Sequence, residues 1–100
     1  MSLQFSRHTI FCRSLEASLG FYRDALGMVV VEEKTLSGPM AGGLLQLPAC
    51  TMRIALLAAG QDGPVIVGLF EISDTPMPQL QPPLGQPAHG QCALVLSTDR

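Results

Sequence analysis

The stretch QFSRHTIFCRSLEASLGFYRDALGM, residues 4–28, decides the fold. Its first part, Gln4 to Cys12, is rich in β-branched and aromatic side chains and predicts a strand. Ser14 offers a helix N-cap, and Glu16 puts a negative charge where the helix dipole favours one. Leu15, Leu19, Tyr22 and Leu26 recur at helical spacing, which predicts an amphipathic helix over 15–26 that packs through those four. Phe21 also reads as a packing residue. Gly27 is placed to end the helix in the left-handed conformation.

Working outward, Met28 to Lys34 (MVVVEEK) predicts a second strand that emerges into solvent at its charged end. Residues 35–50 read as irregular, with one short helical turn over Met40 to Leu47 and two glycines that weaken it. Thr51 to Ala59 and Val65 to Ile72 predict a third and a fourth strand, paired as a hairpin across the turn Gly60-Gln61-Asp62-Gly63-Pro64. Five prolines between residues 75 and 89 forbid regular structure there and mark a linker. Gln91 to Leu96 predicts a fifth strand, and Ser97-Thr98-Asp99 resembles the cap of another helix. The order is β-α-β-β-β, a linker, then β. Residues 7–14 and 91–98 share one rhythm, a strand running into a polar cap, which aligns Arg7 with Gln91 and His8 with Cys92. The expectation is one domain over 1–100, of class α+β. Residues 1–74 form a βαβββ module, 75–89 the linker, and 90–100 the start of an incomplete second module. Such a chain is expected either to belong to a longer protein or to pair with another chain through its open sheet edge.

Composition narrows the function classes. A chain of 100 residues buries roughly 60–65% of its unfolded surface, enough for one modest core. The hydrophobic fraction of 47% argues against disorder, yet no apolar run reaches the roughly 20 residues of a membrane span. Six basic and eight acidic residues give a net charge of −2, with no basic patch for nucleic acid. Cys12, Cys50 and Cys92 form neither a CxxC nor a disulfide framework, so a reduced, cytoplasmic protein is expected, with no membrane partner. There is no Ser/His/Asp or Cys/His constellation and no GxGxxG phosphate loop.

The segment HTIFCRSLEASLGFYRDALGMVVVEE resembles the opening of the vicinal oxygen chelate superfamily, which contains glyoxalase I, extradiol dioxygenases and the bleomycin resistance proteins. SLEASLGFYRDALGM is similar to that family's first helix and its exit. LPACTMRIALLAAG and VIVGLFEISD resemble its third and fourth strands, and GQCALVLSTD the first strand of its second module. The resemblance implies βαβββ modules whose sheets curl into a cup holding a divalent metal. It places the first-strand ligand eight residues before the leucine that opens the helix, which here is Arg7. The fourth-strand ligand, usually a Glu before a leucine, falls on Gly68. The ligand after a glycine on the fifth strand falls on Gln91. Arg cannot bind a cation, Gly has no side chain, and Gln is a weak, neutral ligand.

These positions motivate a ligand-binding set of Arg7, Thr9, Gly68, Phe70 and Gln91, all expected on one face of the cup. Gly68 is expected to widen the pocket by one side chain. His8, one residue off in register, is a weak metal candidate. Its face is shared with Ile10 and Cys12, and it reads as a helix-side histidine held by a hydrogen bond. Glu71, at an odd offset from Gly68, is expected to face away from the cup. His89 reads as a solvated loop residue. Arg7 fits either a clamp for a carboxylate or phosphate or a partner to an acidic side chain. Arg53 reads as an edge charge that deters aggregation, with a second anion contact as the other role. Two functions follow. One is a binder of a small polar or anionic organic molecule without cofactor, expected as a homodimer. The other is a metal-dependent lyase, isomerase or ring-cleaving oxygenase.

Overall fold

A computed structural model describes residues 2–38, 50–73, 77 and 93–97. Strand β1 (His8–Cys12) leads into helix α1 (Leu15–Leu19), and then into a π-helical turn, Gly20–Ala25. Strands β2 (Val29–Gly38), β3 (Cys50–Ala58) and β4 (Val65–Ser73) follow. The sheet runs in the order β1-β4-β3-β2, with β1 parallel to β4 and the other pairs antiparallel. This is the expected α+β arrangement, a βαβββ module with an open four-stranded sheet.

Ser14 caps α1, its Oγ accepting from the Ala17 backbone N–H at 3.2 Å. Leu15 and Leu19 are each 1% exposed and pack on Ala55, Leu57, Val67 and Leu69. Tyr22 is half-buried against the same cluster. The helix then departs from the expected spacing. The Leu26 N–H donates to the Phe21 carbonyl at 3.0 Å, a five-residue step that widens the turn. Side chains after the widening lag the 3.6-residue rhythm. Leu26 therefore stands 46% exposed, outside the core it was expected to join, while Phe21, 53% exposed, packs only edge to face on Tyr22, centroids 4.9 Å apart. Met28 fills the core instead, at 6% exposure. Gly27 ends the segment at φ +79, its N–H donating to the Arg23 carbonyl at 3.1 Å.

Strand bounds also shift. Regular pairing of β1 starts at His8 rather than Gln4, leaving Arg7 just ahead of the strand. β2 continues to Gly38, through residues expected to be irregular, because Thr35 to Gly38 find partners from Arg53 back to Cys50 on β3. Residues 93–97 adopt no strand, against expectation. They have a strand-like sequence but no hydrogen-bonded neighbour among the described residues, and a β pattern needs one to become a strand. Leu94 packs on the helix-side core instead. The expected turn at Met40 to Leu47 and most of the expected linker lie outside the described residues.

A bulge at Val31 sets the faces of β2. Val30 pairs with Leu57 and Glu32 with Leu56, so Val31 has no opposite number and is 56% exposed. The extra residue turns Glu32, Lys34 and Leu36 to the face away from the helix. That far face has its own cluster, in which Cys50, Met52 and Ile54 are buried beside Leu56, Phe70 and Ile72.

Arg53 lies on β3, a central strand flanked by β4 and β2, so it is no edge charge. It lies on the helix side, where it meets Glu16 at 3.0 Å and Glu71 at 3.4 Å. Glu71 also accepts the Leu15 backbone N–H at 2.9 Å, satisfying a donor that the first turn leaves orphaned. No described helix is long and apolar enough to cross a membrane.

Candidate functional site on the far face of the sheet

Alternation along β1 puts Arg7, Thr9 and Phe11 on the far face, and His8, Ile10 and Cys12 on the helix face. Register carries the far-face set across the sheet. Thr9 lies level with Gly68, then Leu56, then Glu32. Phe11 lies level with Phe70, Ile54 and Lys34.

The side chain of Arg7 lies along this face over Gly68. A Cβ at Gly68 would stand 3.1 Å from Arg7 Nε, 3.2 Å from Arg7 Cδ and 3.2 Å from Phe70 Cε1. Any side chain at 68 competes with the guanidinium for one space, and glycine leaves it to Arg7. The gap expected above Gly68 is thus not an enlarged pocket, because the arginine stem occupies it. Arg7 Cζ is 6.0 Å from the centroid of the Phe70 ring, at the outer range of a cation–π contact. Phe70 meets Phe11 edge to face, centroids 5.7 Å apart and planes at 64°.

Arg7 differs from the other described cations whose partners are known. Arg23 pairs with Asp24 at 2.8 Å, Lys34 with Glu32 at 3.8 Å, and Arg53 with two carboxylates. Among the described residues no carboxylate pairs with Arg7. The hydrogen bond from Arg23 holds the Asp24 carboxyl below the usual carboxylate range. The Glu16 hydrogen bond raises the Arg53 guanidinium above its already high value.

Arg7, Thr9, Gly68 and Phe70 are therefore brought together, while Gln91 and His89 lie outside the described residues. Phe11 joins the group without having been singled out. Its parity with Arg7 and Thr9 was the available signal. His8, level with buried Val67, stands on the opposite face, and among the described residues its imidazole has no hydrogen-bond partner. Glu71 faces away from Gly68 into the helix-side network, as its odd offset requires. Burial pushes the Cys12 thiol up, which makes it a poor nucleophile at neutral pH.

The chain belongs to the Glyoxalase/Bleomycin resistance protein/Dioxygenase superfamily, whose family model matches residues 4–99. A solved glyoxalase family protein from Bacillus cereus has a similar fold, with a TM-score of 0.67 and 18% sequence identity. The similarity covers 79% of this chain and 52% of that one, so the chain spans about half the length of its solved relative. No curated protein matches the chain.

The resemblance implies a divalent cation held at the first-strand and fourth-strand positions. The residues there, Arg7 and Gly68, do not fit one. A guanidinium repels a cation, and glycine offers no donor. Among the described residues no group of three or more His, Cys, Asp or Glu side chains is placed to hold a metal ion.

Proposed function

We propose that the protein binds a small polar or anionic organic molecule on the far face of its sheet, with Arg7 as the charged contact and no divalent cation in the family's usual place. The observation that carries this reading is the position of Arg7, extended over Gly68 and toward Phe70, with no carboxylate partner among the described residues. A guanidinium with no carboxylate partner keeps its donors for a planar anion, and a bidentate pair adds geometric specificity. Thr9, exposed beside Gly68, brings a hydroxyl to the same spot. Phe70 supplies an apolar wall. Gln91, carried over from the family's fifth-strand position, is a further polar contact in this reading. A homodimer and a cytoplasmic location accompany the proposal.

The alternative is a metal-dependent lyase, isomerase or ring-cleaving oxygenase, favoured by membership of a superfamily that includes glyoxalases and dioxygenases. It requires a metal ligand set without the two positions described here.

Acetate titration followed in amide ¹H–¹⁵N spectra tests the binding reading. Thr9 and Gly68 should shift on adding acetate to the native chain. The shifts should vanish in Arg7→Ala and persist, weakened, in Arg7→Lys, which keeps the charge but loses the bidentate fork. Equal shifts in the native chain and Arg7→Ala would remove Arg7 from the site.

A further inference from the structure

The exposed aromatic ring on the same face as Arg7 narrows the ligand class. Phe11, near the end of the edge strand β1, is 49% exposed and meets Phe70 edge to face. Arg7, with no acidic partner among the described residues, approaches Phe70, and Phe70 meets the half-exposed ring of Phe11, which makes a two-part surface, one part charged and one part apolar. We infer that the ligand is an aryl monocarboxylate, its carboxylate on Arg7 and its ring against Phe11. The inference rests on the anion-binding reading above and adds the chemistry of the apolar half.

Distance supports the pairing. Arg7 reaches forward into the row of Thr9 and Gly68. The row of Phe11 and Phe70 lies two residues further along the strand, about 6–7 Å away. One aryl carboxylate bridges that span, whereas a bare inorganic anion would leave the ring uncovered. The number of charges follows from the neighbours. Glu32 and Lys34, on the same face at the other edge of the described sheet, neutralise each other at 3.8 Å. Arg7 is then the unmatched charge on the described part of this face, which suits one carboxylate rather than two. A ring is preferred to an alkyl body of equal size because Phe11 can pair with another ring in an offset or edge-to-face arrangement.

The test is a set of titrations of the full chain with acetate, cyclohexanecarboxylate and benzoate, followed at the Thr9, Gly68 and Phe11 amides. Benzoate should bind about three- to tenfold more tightly than cyclohexanecarboxylate, the range one ring–ring contact supplies. Phe11→Leu should bring that ratio close to one, and Phe11→Tyr, which keeps the ring, should preserve it. The Tyr variant also controls for folding. Equal affinities for benzoate and cyclohexanecarboxylate in the native chain, or a ratio that survives Phe11→Leu, would overturn the aryl assignment. Acetate binding that depends on Arg7 would then leave the anion reading standing. If neither acetate nor benzoate binds, both the anion reading and the aryl assignment fall.

Discussion

Replacing Gly68 with alanine separates the stability of the sheet from the placement of Arg7. The added Cβ would meet Arg7 Nε at 3.1 Å, Arg7 Cδ at 3.2 Å and Phe70 Cε1 at 3.2 Å. All three distances are tight, so something must give. Arg7 precedes β1, is exposed, and reaches Gly68 through a flexible stem, so it yields first. Its displacement loses a cation–π contact worth about 0.5–1 kcal/mol at an exposed site. Against this, glycine inside a strand costs about 0.5–1 kcal/mol relative to alanine. The two effects nearly cancel, and the variant should fall within about 1 kcal/mol of the native chain. That corresponds to a change in Tm of no more than about 4–8 °C for a domain of this size. Anion binding should respond far more. Moving the guanidinium off its seat loses a charge-assisted hydrogen bond, about 1.5–3 kcal/mol, or roughly ten- to hundredfold in affinity. Gly68→Glu should abolish acetate binding, because its carboxylate would pair with Arg7 directly. Thermal denaturation and acetate titration of both variants read the two effects separately. Native-like acetate affinity in Gly68→Ala would refute the seating of Arg7 on Gly68. A loss of more than about 3 kcal/mol in stability would show that the arginine stem does not yield.

Other substitutions probe the scaffold. Leu19→Ala should cost about 2–5 kcal/mol by urea denaturation, since Leu19 is 1% exposed. Leu26→Ala should cost less than about 1 kcal/mol, well below Leu19→Ala, because the π turn leaves that side chain 46% exposed. Glu71→Ala removes the acceptor for the Leu15 N–H and one partner of Arg53, and should cost about 1–2 kcal/mol. Glu71→Gln, which keeps an acceptor oxygen, should recover part of it. Cys12 carries a raised thiol pKa, so it holds less thiolate at neutral pH than a free cysteine does. Its alkylation by iodoacetamide, mapped by peptide mass spectrometry, should therefore be slow near pH 7 and accelerate only above the ordinary thiol range.

Which features were legible in the sequence follows from the range of the interactions that set them. Parity along β1 is local, so the placement of Arg7 and Thr9 opposite His8 was readable from alternation alone. The β3–β4 hairpin was readable from two apolar runs around a Gly/Pro turn. The π turn was not, because Leu15, Leu19, Tyr22 and Leu26 fit the 3.6 period, and one shifted hydrogen bond sends Leu26 outward. Arg53 was misread because strand order is a non-local property. Nothing in TMRIALLAA says that this strand is central. The occupied space over Gly68 was missed for a similar reason. A missing side chain reads as a gap in sequence, yet a long neighbour from the adjacent strand end fills it.

The claim that this sheet face takes an anion where relatives are expected to hold a cation is tested most directly by paramagnetic relaxation. Mn²⁺ bound on the face would broaden the amide signals of Thr9, Gly68 and Phe70 before others. With a guanidinium at that position, equimolar Mn²⁺ should leave those three no broader than the rest of the sheet. Their selective broadening at substoichiometric Mn²⁺ would contradict the account and favour the metal-dependent enzyme.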